Sequence, residues 1–160
     1  MRRFSLASLF LAVLIFSSLS WAATSHDVTV SISPFARLSV TGTVAFQVDP
    51  NDFDQNGFAS KEVADAVQLT VKTNSSTGCM VSASGTDFTG GAAKFSIGAL
   101  KVKIGSGNYV PLSNSPAQVL QIQGVKNNTT YPVTFQLNLD GSEPAGNYSA
   151  TVTYTVAANS

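Results

Sequence analysis

Apolar and polar residues alternate along most of this chain, and this alternation limits the possible folds more than any other feature of the sequence. The most regular run spans residues 148–156, which read YSATVTYTV. Successive side chains of a strand point to opposite faces of a sheet, so a period of two is typical of half-buried strands. About eight such runs follow residue 27, each with an apolar face and a mostly polar face. The others lie at 28–33, 38–48, 67–72, 79–83, 100–104, 120–123 and 133–139. The sequence therefore predicts an all-β protein.

Turn-forming residues separate these runs at short intervals. They include NSSTG at 74–78, GSGN at 105–108 and DGS at 140–142. About eight short strands, each with one apolar face, predict an immunoglobulin-like antiparallel β-sandwich, in which two sheets pack face to face. Residues 59–66 are the one segment that we interpret as compatible with a short helix.

The N-terminus reads as a targeting segment. Arg2 and Arg3 precede an apolar stretch at 4–19, and small residues at Ser20 and Ala22 suit cleavage after Ala22. The apolar stretch is shorter than the roughly 20 residues that span a membrane. We therefore predict a signal peptide at 1–22 and a single sandwich domain at 23–160. This organisation predicts a secreted or cell-surface protein with no membrane span after cleavage, and a periplasmic protein is the alternative.

The charge composition excludes one class of partner. Charged residues make up 11% of the chain, and nine basic residues balance nine acidic ones. Proteins that bind nucleic acid usually carry a strong basic patch or stripe. We therefore expect no nucleic-acid partner.

The chain offers little catalytic chemistry. His26 is its one histidine and Cys79 its one cysteine. A Ser-His-Asp or Cys-His arrangement needs a well-held histidine, and a zinc site needs several Cys or His ligands. We predict that the protein is not an enzyme. Cys79 lies on the apolar face of its run, which indicates a buried side chain, and the alternative is an intermolecular disulfide.

One acidic segment matches part of a metal-binding motif. Asp52, Asp54 and Asn56 alternate and are followed by Gly57, as in the opening of a calcium loop. The twelfth position of that motif, where a Glu should complete the ligands, is Val63. Two interpretations stay open for the loop at 49–65: a calcium site that does not follow the EF-hand pattern, and a surface turn rich in Asp and Asn. Calcium is the one cofactor that the sequence suggests.

A short alternating segment directly follows the predicted cleavage site. Val28, Val30 and Ile32 alternate with polar residues, and Pro34 separates them from the next run. This strand, at 27–33, has two possible partners: its own sheet, or the sheet edge of a neighbouring molecule. Strand addition of the second kind, repeated head to tail, generates an open fibre.

Two segments resemble those of a known family. Residues 144–148 form a P-x-G-x-Y turn that leads into an alternating Thr/Val strand, and VQLTVKTNSS at 67–76 is followed by CMVSAS. These segments resemble secreted bacterial pilin-like sandwiches, namely spore coat protein U type domains and fimbrial subunits. Such pilins commonly contain a pair of cysteines, whereas this chain has Cys79 alone.

The resemblance implies a structural or adhesive surface subunit that associates with itself or with another surface subunit, with the segment at 27–33 as the donor strand. The alternative function is a monomeric secreted binding module that uses calcium through the loop at 49–65.

Overall fold

Ten strands and two short 3-10 helices form the regular structure of the part of the chain described by this computed structural model, residues 27–90 and 93–159. The predicted signal peptide lies outside these residues. The 3-10 helices span Pro50–Asp52 and Ile97–Ala99. The strands are β1 Ala36–Gly42, β2 Ala59–Thr73, β3 Cys79–Gly85, β4 Phe88–Gly90, β5 Ala93–Phe95, β6 Leu100–Ile104, β7 Val110–Pro111, β8 Ala117–Ile122, β9 Lys126–Leu139 and β10 Val152–Ala158.

The strands form two main sheets and one small hairpin. The larger sheet has the order β1-β2-β9-β6-β7, the smaller has the order β10-β3-β8, and β4 pairs with β5. Every pairing of neighbouring strands is antiparallel. The predicted all-β antiparallel sandwich is confirmed, with ten strands among the described residues rather than about eight.

The core lies between the two main sheets and follows the alternation of the sequence. Val71 and Val133 of the larger sheet have no exposed surface, and neither do Cys79 and Val81 of the smaller sheet. Along β3, fully buried residues alternate with partly exposed ones. One apolar face per strand therefore fills a shared core, as the period of two predicts.

Residues 59–66 belong to a strand, so the helix that we considered there is wrong. They form the first half of β2, where Ala59 pairs with Leu139 and Val63 pairs with Phe135. A bulge follows Val63, and Asp65 within it has a φ of 53°. Pairing with the long strand β9 determines the conformation here, since tertiary contacts routinely override local propensity.

The first long alternating run of the sequence is also shorter as a strand than its pattern predicts. Alternation extends to Val48, but β1 ends at Gly42, which has a φ of 103°. A Cβ atom at this glycine would lie 2.3 Å from the backbone oxygen of Ala66. The chain leaves the sheet at this close approach, although Val44 and Phe46 still pack against the core.

The segment at 27–33 is not a strand in this structure. No residue from Asp27 to Phe35 belongs to a strand or helix. The sandwich is a compact unit that begins at Ile32, and residues 27–31 belong to a separate unit. The predicted strand is therefore not formed by the single chain, because a strand needs hydrogen bonds to a partner strand and alternation alone does not supply them.

Strand register defines two opposite ends of the sandwich. At one end, Ala36 pairs with Thr73, Thr73 pairs with Lys126, and Cys79 pairs with Ile122. We call this the Asn74 end, made of residues 34–37, 72–79, 122–128 and 157–159. At the other end, the long strands β2 and β9 meet the segments at 49–58, 85–90, 93–99 and 140–149. We call this the Asp140 end.

Candidate functional site

The N-terminal segment exposes the apolar side chains that the sequence singled out. Val28, Val30 and Ile32 are 76%, 73% and 77% exposed. The polar residues between them are exposed as well. Apolar side chains at every second position are suited to lie on one face of a strand once a partner edge is present.

One side of the sandwich has unpaired strand edges in both main sheets. In the described chain, β10 pairs with β3 alone and β1 pairs with β2 alone. The strands β1 and β10 lie beside each other in contact, but they belong to different sheets. The backbone groups along the outer edge of β10 therefore have no ladder partner, which is the condition for adding a strand.

Apolar side chains along this side are only partly covered. We call them the edge groove, made of Leu38, Val40, Val152, Tyr154 and Val156. Val40 is 46% exposed, and the other four are half-buried. Their neighbours one strand further in, Val81 and Ala83, are completely buried. The core is thus well covered up to β3 and incompletely covered at β10.

Tyr154 carries a polar atom within this groove. Its hydroxyl is buried and has no hydrogen-bond partner among the described residues. Burial raises the pKa of this phenol well above its usual value. Because buried polar groups are nearly always hydrogen-bonded, an unpaired hydroxyl distinguishes β10 from the fully satisfied interior.

The predicted calcium loop uses its carboxylates internally. Asp52 forms an ion pair of 2.7 Å with Lys61 and accepts a hydrogen bond from the backbone amide of Asp49. That hydrogen bond and Lys61 lower the pKa of Asp52. Asp54 accepts hydrogen bonds from the backbone amides of Asn56 and Phe58, at 2.8 and 2.9 Å.

These contacts fit the surface turn, which was the alternative interpretation of the loop. The bond from Phe58 is the main cause of a lowered pKa at Asp54. Asp and Asn side chains stabilise such turns by bonding the local backbone, and Gly57 adopts the positive φ, 80°, that the turn requires. Within the described residues, no group of three or more Asp, Glu, His or Cys side chains is arranged to hold a metal ion. Calcium binding by Asp52, Asp54 and Asn56 stays a prediction.

The remaining residues considered for chemistry do not converge. His26 lies outside the described residues. Cys79 is fully buried, and burial raises the pKa of its thiol. A thiol in this environment resists ionisation, so Cys79 serves as a small apolar core residue in the described fold.

Sequence reasoning found the exposed N-terminal residues but missed the edge groove. The last run of the sequence looks like any half-buried strand, and its alternation does not reveal which of its edges is paired. Strand order, which depends on contacts distant in sequence, creates the open edge at β10. The signal available was the run itself, residues 148–156, in which the strand β10 begins at Val152.

Comparison with protein-family models finds no match, and a search of curated proteins finds no significant relative. Among the described residues, no helix is long and apolar enough to cross a membrane.

Proposed function

We propose that this protein is an extracellular structural subunit that assembles by strand exchange. In this proposal, residues 27–33 of one copy add to the free edge of β10 in the next copy. The observation that carries the proposal is the exposure of Val28, Val30 and Ile32, each about three quarters exposed at alternate positions. The partly covered edge groove provides the complementary surface.

Burial of these side chains supplies a driving force. Fully burying a Val or Ile side chain contributes roughly 1.5–3 kcal/mol. Three such side chains in a neighbour's groove would favour association, and they would also complete the cover over the half-buried residues of β10. In a monomer these side chains stay exposed to water, so this free energy of burial is not released.

Backbone geometry supports the same pairing. The donor segment at 27–33 and the acceptor strand β10 have matching lengths, because β10 contains seven residues. An added strand supplies hydrogen bonds to the free edge and places alternate side chains toward the core. Val28, Val30 and Ile32 would then extend the apolar layer that Val152 and Val156 begin.

The predicted cleavage site supports the proposed location. Cleavage after Ala22 would leave the donor segment near the new N-terminus, available to a neighbouring molecule. The resemblance to pilin-like and spore coat protein U type sandwiches agrees with this arrangement. We therefore propose self-association at the cell surface after secretion, with a structural or adhesive role for the assembly.

Matched substitutions test the donor segment in the chain that starts at residue 23. Val30→Asp together with Ile32→Asp places charges where the groove is apolar, so we expect assembly to be lost while the monomer stays folded. Thr29→Asp together with Ser31→Asp adds the same charge at the intervening polar positions. We expect this control to assemble as the parent does, the parent being the unsubstituted chain that starts at residue 23. Light scattering after size-exclusion chromatography measures the assembly of each chain.

Two results would contradict the proposal. One is assembly of the Val30→Asp, Ile32→Asp chain at the parent rate. The other is a parent chain that stays monomeric at every concentration up to about 1 mM. Circular dichroism of each variant separates loss of assembly from loss of folding.

A further inference from the structure

Charges of opposite sign predominate at the two ends of the sandwich, and four further charged residues lie between the ends on β2 and β6, namely Glu62, Asp65, Lys101 and Lys103. The Asn74 end carries Arg37, Lys72 and Lys126, and the described residues of this end include no acidic side chain. The Asp140 end carries six of the nine acidic residues of the whole chain. These six are Asp49, Asp52, Asp54, Asp87, Asp140 and Glu143.

Basic residues compensate for little of the acidic charge at the Asp140 end. Lys61 pairs with Asp52, and Lys94 lies on β5. The Asp140 end therefore has an excess of four negative charges, and the Asn74 end has an excess of three positive charges. These opposite charges are held at the two ends of the long strands β2 and β9 of the sandwich.

The basic residues are placed at some cost to the fold. Arg37 and Lys72 are directly opposite each other in the pairing of β1 with β2. Like charges in directly opposed positions destabilise a sheet. A negative surface of another molecule that covers Arg37 and Lys72 would offset the repulsion between them.

Each end also carries exposed apolar surface. At the Asn74 end, Val125 is 60% exposed and Phe35 is 37% exposed. Phe35 directly precedes Ala36 and Val125 directly precedes Lys126. Because Thr73 of β2 pairs with both Ala36 and Lys126, the two apolar residues lie on either side of β2.

At the Asp140 end there is a cleft of about 400 Å³ with an apolar lining that includes Phe58, Phe95 and Leu139. Phe58 is 57% exposed. The acidic residues Asp140 and Glu143 also line this cleft. Each end therefore combines an apolar patch with charges that are opposite in sign to those of the other end.

We infer that copies of this chain stack head to tail, with the Asn74 end of one copy docked on the Asp140 end of the next. The occupant of the acidic cleft is a second copy, and charge complementarity together with the two apolar patches carries the inference. This inference rests on the proposed strand exchange and specifies which surfaces meet around it.

Stacking of this kind fixes the direction of the donor. The chain enters β1 at the Asn74 end, where Asn74 holds the backbone of Ser33 and Phe35. A donor that leaves this end enters the next copy at its Asp140 end, where β10 begins. Because the donor approaches with residue 33 nearest that end, it lies antiparallel to β10.

Charge reversal at the Asn74 end tests the stacking. Lys72→Glu together with Lys126→Glu makes the charge of this end negative. The change also places a carboxylate opposite Arg37, which favours the fold. The control, Lys101→Glu together with Lys103→Glu, changes the net charge equally but lies within β6, outside the Asn74 end and outside the segments that form the Asp140 end.

Initial assembly rates are measured by light scattering on the chain from residue 23, at about 20 and 500 mM NaCl. Attraction between opposite charges is screened by salt, so we expect the parent and the control to assemble more slowly at high salt. The reversed variant should assemble roughly tenfold more slowly than the parent at low salt. It should also accelerate as salt is added, because its ends repel each other.

A reversed variant that keeps the parent rate and the parent salt dependence would overturn the stacking. Equal slowing of the control and the reversed variant would overturn it too, because net charge alone would then explain the effect. Strand exchange is tested separately by the Val30→Asp, Ile32→Asp chain. If that chain stays monomeric while charge reversal has no effect, strand exchange stands and this inference fails.

Discussion

Asp54 shows how single residues hold the loop at 49–58. Its carboxylate accepts hydrogen bonds from the backbone amides of Asn56 and Phe58, which lower its pKa from 3.8. A carboxylate whose pKa is lowered in the folded state stabilises that state above the unfolded pKa. This contribution is lost as the pH falls through the lower, folded pKa.

We therefore expect the melting temperature of the parent to fall below pH 3.8, and more steeply than that of an Asp54→Asn variant. The amide oxygen of Asn keeps an acceptor for the turn but does not titrate. Thermal denaturation between pH 2 and pH 6 measures both curves. Parallel curves for the two proteins would show that Asp54 does not contribute in this way.

Gly78 is a second residue whose identity the backbone requires. It has a φ of 88°, and a Cβ atom at this position would lie 1.9 Å from the carbonyl oxygen of Ile122. Gly78→Ala should lower the free energy of unfolding by about 3 kcal/mol, since strain and a backbone clash combine.

Gly105→Ala is the matched control for that substitution. Gly105 has a φ of 55°, but a Cβ atom there meets no other atom within 4 Å. Its cost should be limited to about 1 kcal/mol of backbone strain. Urea denaturation of both variants gives the comparison, and equal losses would contradict the role of the close approach at Gly78.

At the scale of elements, β10 differs from the central strands β2, β3, β6 and β9, each of which has a neighbour on both sides. Its inward-facing residues are half-buried, and it has a neighbour on one side only. Tyr154 illustrates the result, because its hydroxyl is buried without a partner in the described chain. An unpaired buried hydroxyl costs free energy that an apolar replacement avoids.

Tyr154→Phe should therefore leave the stability of the monomer unchanged or raise it by about 1 kcal/mol, as measured by urea denaturation. Burial raises the pKa of this phenol above 10. The parent should consequently lose stability as the pH rises above 10, because the unfolded chain ionises more readily. The Tyr154→Phe variant should lose less stability over the same range of pH. A clear destabilisation by Tyr154→Phe would indicate that the hydroxyl has a partner.

The sequence predicted elements more reliably where both edges of a strand are paired. Alternation identified β2 from residue 67 onward, β3, β6 and the second half of β9, from Val133 to Leu139. It failed at residues 59–66, where pairing with β9 extends the strand through a bulge at Asp65. It also extended β1 beyond Gly42, because apolar residues at 44–48 pack on the core without joining a sheet. Alternation reports burial of one face, while strand boundaries depend on hydrogen-bonded neighbours.

At the scale of the whole molecule, the proposed function depends on two surfaces, and only one of them can be recognised from the sequence. The apolar positions 28, 30 and 32 can be recognised directly, since no turn or charge interrupts them. The edge groove and the separation of charge between the two ends require the strand order. Lys72 and Lys126 are far apart in the chain, and they share an end because β2 and β9 are antiparallel neighbours.

The central claim is that residues 27–33 bind another copy at the edge of β10. The most direct test compares the chain from residue 23 with a chain that starts at Ser33, using size-exclusion chromatography with light scattering. We predict that the longer chain forms large species and that the shorter one is a folded monomer. We also predict that this monomer binds an added peptide of residues 27–33. A longer chain that remains a monomer, or a folded shorter chain that does not bind the peptide, would contradict the claim.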